Sequence, residues 1–461
     1  MIKDIHKEIW MLSRHVQCRE SHLELTRLTD ELVRLYALQG RLTTDPFSPT
    51  RERTLSLPSD QILAVLKDST CIVTGGLGCV GSTLIHELLK FNVKAIIILD
   101  NKNNEFNYSE KVISLQCDVR NLQTVQEIFA LYRPDFVFHT AAQRDPGFAE
   151  SHIVETVTTN VMGTANIVKA CEAIGTIKQM VFSSTGKASR YFTEEVYAAT
   201  KKLDEFILDT YARESDVKYS MVRFTHILDN SLMNAQLKEG SEKDDHLAVH
   251  SPGKYVTAQN AKEAAYLMLN ALVYSEEKHC NFLLVRHLEW PVESLEMALY
   301  YIKQSGRNIP VIFLGNPVGY SEKFFRGQMD WSQPNELNLL TNVYERKYRM
   351  FNSDNDIIIS RACSTDKATL ERVLDRIGLA KGEAETKEAL IEGLKEVVKE
   401  SLKTVDQEET IDILRWGLDP RFLEMENVRI SDFREIISLL VESLEGTEFH
   451  EEAKDLMYQK V

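Results

Sequence analysis

Apolar residues recur at helical spacing from Ile5 to about Leu38, with Leu25, Leu28, Leu32 and Leu35 stepping by three, four and three. That periodicity predicts an amphipathic helical preface whose leucine stripe packs on the body of the protein or on another subunit. Gly40 and the proline- and hydroxyl-rich run Thr43-Thr44-Asp45-Pro46-Phe47-Ser48-Pro49 end it. After a second predicted helix over 59–66, short apolar runs alternate with helical stretches, the order of a parallel sheet with crossover helices. Strands are predicted at 71–73, 94–99, 111–116, 135–139, 179–183 and 218–223, with helices over 121–131, 150–174 and 194–212. The polar segment 229–250 is poor in pattern and reads as a loop or lid. A helix over 260–273, a strand at 281–285, a helix over 291–303 and a strand at 310–314 suit a smaller substrate-facing lobe. From about Ser364 onward the pattern is helical alone, as in Leu370, Val373, Leu374 and Ile377, then Leu390, Leu394, Val397 and Val398. It reads as an appended domain of roughly 95 residues, serving packing or oligomerisation rather than chemistry. The chain is therefore expected to be α/β, with helical extensions over 1–66 and 364–461 flanking a dinucleotide-binding domain at 67–250 and a substrate lobe at 251–360.

Charge narrows the partners. The 461 residues hold 54 Lys and Arg against 69 Asp and Glu, a formal net charge of −15, which disfavours nucleic acid. No stretch approaches the roughly 20 apolar residues that span a bilayer, and Met1-Ile2-Lys3-Asp4-Ile5-His6 lacks the apolar core of a secretory leader, so a cytoplasmic location is expected. Seven scattered cysteines without a C-x-x-C pair fit reduced thiols, and no metal site is expected.

The most specific chemistry is Thr74-Gly75-Gly76-Leu77-Gly78-Cys79-Val80-Gly81, between the strand Cys71-Ile72-Val73 and a helix beginning Ser82-Thr83-Leu84-Ile85. A pyrophosphate reaches the amino end of a helix only where the preceding turn carries no side chains. Gly75 permits the tight turn, Gly78 the approach of the backbone, and Gly81 the close packing of helix on strand, while Cys79 and Val80 between them are further cofactor-binding candidates. The spacing is G-x-x-G-x-x-G. Asp100, nineteen residues past Gly81 at the end of the second strand, is placed to accept hydrogen bonds from the adenosine ribose, which favours NAD over NADP, although Lys102 nearby leaves NADP open.

A second constellation follows on the fifth strand and the next helix: Ser183-Ser184-Thr185-Gly186-Lys187, then Tyr197-Ala198-Ala199-Thr200-Lys201. One helical turn separates Tyr197 from Lys201, so the ammonium is expected to favour the ionised phenol and draw it toward physiological pH. A phenolate there accepts the proton of a sugar or alcohol hydroxyl while hydride leaves for a nicotinamide, and Thr185 hydrogen-bonds the same hydroxyl. His139 and His226 are read as hydrogen-bonded structural residues.

On these motifs the chain resembles the extended short-chain dehydrogenase/reductase family, and within it the polysaccharide-biosynthesis branch of UDP-N-acetylglucosamine 4,6-dehydratases and epimerases. The resemblance covers roughly residues 68–330 and implies a Rossmann-type doubly wound sheet. It rests also on Asp118-Val119-Arg120, implied to lie on the adenine side, and on Phe138-His139-Thr140-Ala141-Ala142, whose small residues pass beneath the cofactor. Asn160-Val161-Met162-Gly163-Thr164 implies that Asn160 steadies the active-site backbone. Tyr255-Val256-Thr257, Asn260-Ala261-Lys262-Glu263-Ala264 and Glu322-Lys323 resemble the carboxyl-terminal lobe.

Three departures bear on the reaction. Relatives carry Thr-Asp-Lys where this chain has Thr185-Gly186-Lys187, so the implied base Lys187 is present and the acid is not; Asp145, Glu194 or a water would have to replace it. Gln143-Arg144-Asp145 and Arg223-Phe224-Thr225-His226-Ile227 also differ at positions that in the family face the sugar or its phosphates, which makes Arg144, Asp145, Arg223 and His226 the substrate candidates. The resemblance implies an enzyme that oxidises a nucleotide sugar at position 4 and then epimerises or dehydrates it, working as a homodimer or higher homo-oligomer. A plain NAD(P)-dependent oxidoreductase and a catalytically reduced nucleotide-binding scaffold are the alternatives.

Overall fold

The computed structural model describes residues 2–102, 109–316, 323–333 and 338–458. Glu322 of the pair Glu322-Lys323 lies outside the described residues. The chain forms two compact units, each discontinuous in sequence: residues 1–54, 225–264 and 287–321 make one, and 55–224, 265–286 and 322–461 the other. These do not coincide with the four consecutive segments expected above.

The larger unit is built on a nine-stranded sheet. Six parallel strands form most of it: β1 (Thr70–Thr74), β2 (Ala95–Asp100), β3 (Val112–Gln116), β4 (Phe136–His139), β5 (Gln179–Thr185) and β6 (Lys218–Phe224). Their spatial order is β6-β5-β4-β1-β2-β3, so the chain reverses direction across the sheet between β1 and β4. Asn281–Val285 adds a parallel strand beside β6, and Ile357–Arg361 with Met350–Phe351 closes that edge antiparallel. β1 is buried at every position, as its unbroken apolar run requires of a central strand covered on both faces.

The helices after residue 366 belong to this same unit and form no separate body. Lys367–Leu379 and Gly382–Leu402 pair with each other through buried Leu370, Val373, Leu390, Leu394 and Val397. Gly382–Leu402 also packs on Ile153–Val157 and on Val196–Glu214, the helix that carries Tyr197. Fifteen of the nineteen residues of that tyrosine helix are buried.

In the smaller unit the leucine stripe does what its periodicity predicts. Leu25, Leu28 and Leu32 of the helix Arg19–Leu38 enter a core with Leu295, Leu299 and Ile302 of Ser294–Ser305 and with Val311 and Phe313. Two helix hydroxyls finish the unpaired side of the strand Val311–Phe313: Thr29 Oγ1 accepts from Val311 N at 3.0 Å and Ser13 Oγ from Phe313 N at 3.0 Å. An edge strand is thereby hydrogen-bonded by side chains in place of another strand. The segment 229–250 is not the expected loop. It holds the helix Leu232–Lys243, capped by Ser231 Oγ accepting from Asn234 N at 3.0 Å, and a strand at Leu247–Val249. Its apolar residues are too sparse to mark a period, yet Leu237, Leu247 and Val249 are buried. Among the described residues no helix is long and apolar enough to cross a membrane.

Candidate active site

At the carboxyl end of β1 the backbone turns through Gly75, whose φ is +67°, a left-handed conformation that side chains resist. A Cβ there would lie 2.7 Å from the backbone of Ala141, and one on Gly81 2.4 Å from the Gly75 carbonyl oxygen. Gly78, extended, caps the ten-residue helix Cys79–Leu88. The turn is thus a side-chain-free cradle at a helix amino end, beside the strand reversal between β1 and β4, where α/β sheets hold their ligands. These residues fit a dinucleotide pyrophosphate.

Asp100 ends β2 and is buried. Its Oδ2 accepts from Leu77 N at 3.1 Å and its Oδ1 from Lys102 N at 3.1 Å, tying the second strand to the glycine turn. Each carboxylate oxygen keeps a second lone pair for a ribose hydroxyl. Asp118 is forked by Arg120 across 2.5–3.0 Å, which holds its carboxyl below the usual range. Val119 packs its Cγ2 where a side chain on Gly163 would otherwise stand.

A chain of contacts joins the cradle to the tyrosine helix. Ala141, in contact with Gly75, is followed by Ala142 and then Gln143, whose N donates to Asn160 Oδ1 at 2.8 Å. Asn160 Nδ2 donates to the Gln143 carbonyl and to Thr200 Oγ1, both at 3.0 Å, and the Thr200 hydroxyl donates to the Tyr197 carbonyl at 2.8 Å. Asn160 lies in a π-helical turn, Thr158–Met162, an irregularity that tends to occur at functional positions.

The phenol environment departs from expectation. Burial pushes Tyr197 up to about 12, against the Thr185 hydrogen bond and the Arg144 charge, with Glu195 and Asp204 adding to the rise. It is not drawn toward neutrality, because desolvation of a phenolate outweighs the favourable contacts. Lys201, itself 2% exposed, places Nζ 3.5 Å from Asp204 and 3.9 Å from the centre of the Phe182 ring. Burial lifts the Asp204 carboxyl to about 8 despite Lys201.

Lys187 donates from Nζ to Glu195 Oε1, and Arg190 Nη1 donates to Glu195 Oε2 at 3.1 Å. Next to Lys187, a Cβ on Gly186 would fall 2.7 Å from Leu340 Cγ. The place of the missing acid is occupied by a leucine side chain.

The family described as polysaccharide biosynthesis protein matches residues 71–309, just over half of the chain. The protein belongs to that family. The probable polysaccharide biosynthesis protein EpsC of Bacillus subtilis is 27% identical over 276 residues, 57% of this chain and 45% of the relative. A UDP-glucose 4-epimerase of Mycoplasma genitalium is 26% identical over 175 residues, 34% of this chain and 52% of the relative. The chain spans about half the length of the curated relatives it matches. The X-ray structure of Pen from Bacillus thuringiensis, 19% identical, aligns with a TM-score of 0.54 over 65% of this chain and 89% of that one, a likeness of fold. The extended short-chain dehydrogenase/reductase assignment, in its polysaccharide-biosynthesis branch, stands on the family match.

Within this family member the substrate candidates fare unevenly. Arg144 is exposed, and its charge acts on the Tyr197 phenol. Asp145 caps the short helix Pro146–Ser151, its Oδ1 accepting from Gly147 N at 2.8 Å and Phe148 N at 3.1 Å. Arg223 is corrected outright: it is fully buried, and its guanidinium is spent on Glu205, Glu345 and the Leu340 carbonyl, with none left to meet a sugar. His226 belongs to the smaller unit, where its Nε2 lies 2.7 Å from Ser231 Oγ. His139 bridges Thr74 Oγ1 at 2.6 Å and Thr164 Oγ1 at 3.1 Å, and burial, then Lys201, lowers it to about 3. Glu194, a candidate substitute acid, is exposed, whereas its neighbour Glu195, which the sequence reading passed over, is buried between two cations. Its only sequence signal was a carboxylate two residues before the tyrosine.

Proposed function

We propose that the protein is an NAD-dependent nucleotide-sugar 4-epimerase. The observation that carries the reading is the run of contacts from the glycine cradle through Ala141, Gln143 and Asn160 to Thr200 and the Tyr197 carbonyl, which ties a cofactor site to the turn of helix that bears the phenol. Gly75, Gly78 and Gly81 would hold the pyrophosphate and Asp100 the ribose, favouring NAD. Nicotinamide, when bound, supplies the hydride acceptor and a positive ring charge that opposes the upward pull on the phenol. Tyr197, as phenolate, takes the proton of the sugar 4-hydroxyl while the C4 hydride departs, and Thr185 orients that oxygen. Tyr197 would return that proton to the same oxygen, and hydride supplied by the bound cofactor to the other face of C4 would give the 4-epimer with no net change in the cofactor.

Two features support epimerisation at position 4 over 4,6-dehydration. Leu340 fills the space where an acid at residue 186 would stand. Lys187, paired with Glu195, is an ammonium without a free lone pair, so removing a carbon-bound proton would require it first to pass a proton to that carboxylate. Similarity to a relative named UDP-glucose 4-epimerase supports a UDP-sugar substrate. Homo-oligomerisation, where it occurs, is proposed to use a surface other than the tyrosine helix, because Gly382–Leu402 of the same chain already covers part of that helix.

The test is chromatographic separation of epimers followed by mass spectrometry of the products from UDP-, GDP- and dTDP-sugars in heavy water. A 4-epimer of unchanged mass is expected, and Tyr197→Phe should abolish it while cofactor stays bound. Loss of water from the product, deuterium beside C4, or stoichiometric absorbance at 340 nm would each replace the reading with dehydration, adjacent-carbon exchange or net oxidation.

A further inference from the structure

The tyrosine helix begins at Val196 and receives no side-chain hydrogen bond from its own N-cap residue, Glu195, whose carboxylate is turned to Lys187 and Arg190. Glu150 satisfies its first amide: Val196 N donates to Glu150 Oε1 at 2.8 Å. The other oxygen of that buried carboxylate, Oε2, accepts from Lys387 Nζ at 2.8 Å, and Lys387 stands on the late helix Gly382–Leu402. One turn earlier on the same helix, Glu383 Oε2 accepts from Ile153 N at 2.5 Å and Val154 N at 3.0 Å. Those amides open the helix Ile153–Val157, which runs directly into the π turn holding Asn160. Its N-cap, His152, also gives no side-chain capping bond. Both helix starts that carry active-site residues therefore depend on carboxylates supplied or held by one late helix, at the end where negative charge is favourable.

We infer that Gly382–Leu402 is a working part of the active site, and that Lys387 and Glu150 are positioning residues that fix Tyr197 through the Val196 amide. Glu383 does the same for Asn160. The helical region after residue 366, which lies beyond the span matched by the family, thereby becomes a condition for turnover. The inference rests on the reading of Tyr197 as the proton-handling group, and its test carries a readout independent of reaction.

Amide hydrogen exchange over a peptide covering 194–199 reads the Val196 bond directly, in the full-length protein. Glu150→Ala should speed that exchange by about tenfold, the scale of a lost hydrogen bond to a charged group, and lower kcat by a similar factor with the Kd for NAD and the KM for the sugar nucleotide unchanged. Glu150→Gln keeps an oxygen for Val196 and should restore both. Lys387→Met, at a half-exposed position that the fold tolerates, should give an intermediate increase. Unchanged exchange in Glu150→Ala, a Gln variant as defective as Ala, or equal acceleration in a β1 peptide would overturn the inference. The expected exchange pattern without turnover of any nucleotide sugar would uphold the positioning and refute the function proposed above.

Discussion

Removing the Arg223 guanidinium is the sharpest test of its reassignment from substrate contact to internal scaffold. Nε and Nη2 reach Glu205 at 2.9 and 2.6 Å, Nη1 and Nη2 reach Glu345 at 2.7 and 2.6 Å, and Nη1 also donates to the Leu340 carbonyl at 2.9 Å. The carboxylate side chains are 4% and 2% exposed, so Arg223→Met would leave two buried negative charges facing each other. Breaking a buried pair from one side costs about 3–5 kcal/mol, a large share of the roughly 5–15 kcal/mol that holds a domain folded. The cost should depend on pH. Burial already raises the Glu345 carboxyl, with Arg223 opposing, and loss of Arg223 raises it further. A carboxyl so raised stabilises the fold below its ordinary value and loses that contribution as pH rises, so the penalty grows from pH 5 to pH 8. Urea unfolding at both pH values, with m compared between variants, measures this. Adding Glu205→Gln and Glu345→Gln should recover most of the loss. A penalty under about 1 kcal/mol, or one equal at both pH values, would refute the buried-scaffold account.

Other perturbations probe the site itself. Gly186→Asp drives a Cβ against Leu340 Cγ and should cost about 1–3 kcal/mol, read as a lower Tm, without producing a 4-keto-6-deoxy sugar; a Tm equal to wild type would contradict the packing argument. Glu195→Gln removes a charge that raises the Tyr197 phenol, so the rising limb of kcat against pH should move to lower pH, and no movement would separate Glu195 from the phenol. His139 is folded as a neutral ring at about 3 against an ordinary 6.5, so its contribution is full above pH 6.5 and is lost as pH falls toward 3. Over that window His139→Gln should flatten the stability curve by about 1.4 kcal/mol per pH unit relative to wild type; parallel curves would show that the ring protonates freely.

Local pattern carried the strands because each central strand is a short, unbroken apolar run. The same holds for the glycine turn, whose spacing reports a backbone packed so closely that a Cβ at Gly75 or Gly81 would fall within 3 Å of Ala141 or of the turn itself. What stayed hidden depends on contacts between distant residues. Arg223 looked like a sugar ligand because nothing beside it in the sequence reveals Glu345, 122 positions on. The helix Leu232–Lys243 carries too few apolar residues to show a period. Lys387 looked like one more solvated charge on an acidic helix, and only folding brings it to Glu150, 237 positions earlier. The phenol was misjudged for a related reason: spacing gives the position of Lys201 but not the depth at which Tyr197 is desolvated.

The smaller unit assembles from pieces made far apart in time. Leu25, Leu28 and Leu32 leave the ribosome before Val311 and Phe313, against which that face closes and which are translated about 280 residues later. At ordinary elongation speeds that gap lasts roughly 15–55 s. Through that interval the nascent leucine face has only part of its native cover, from Ile5 and Ile9 at first and then from Leu295 and Leu299, and it closes only when the last strand is made.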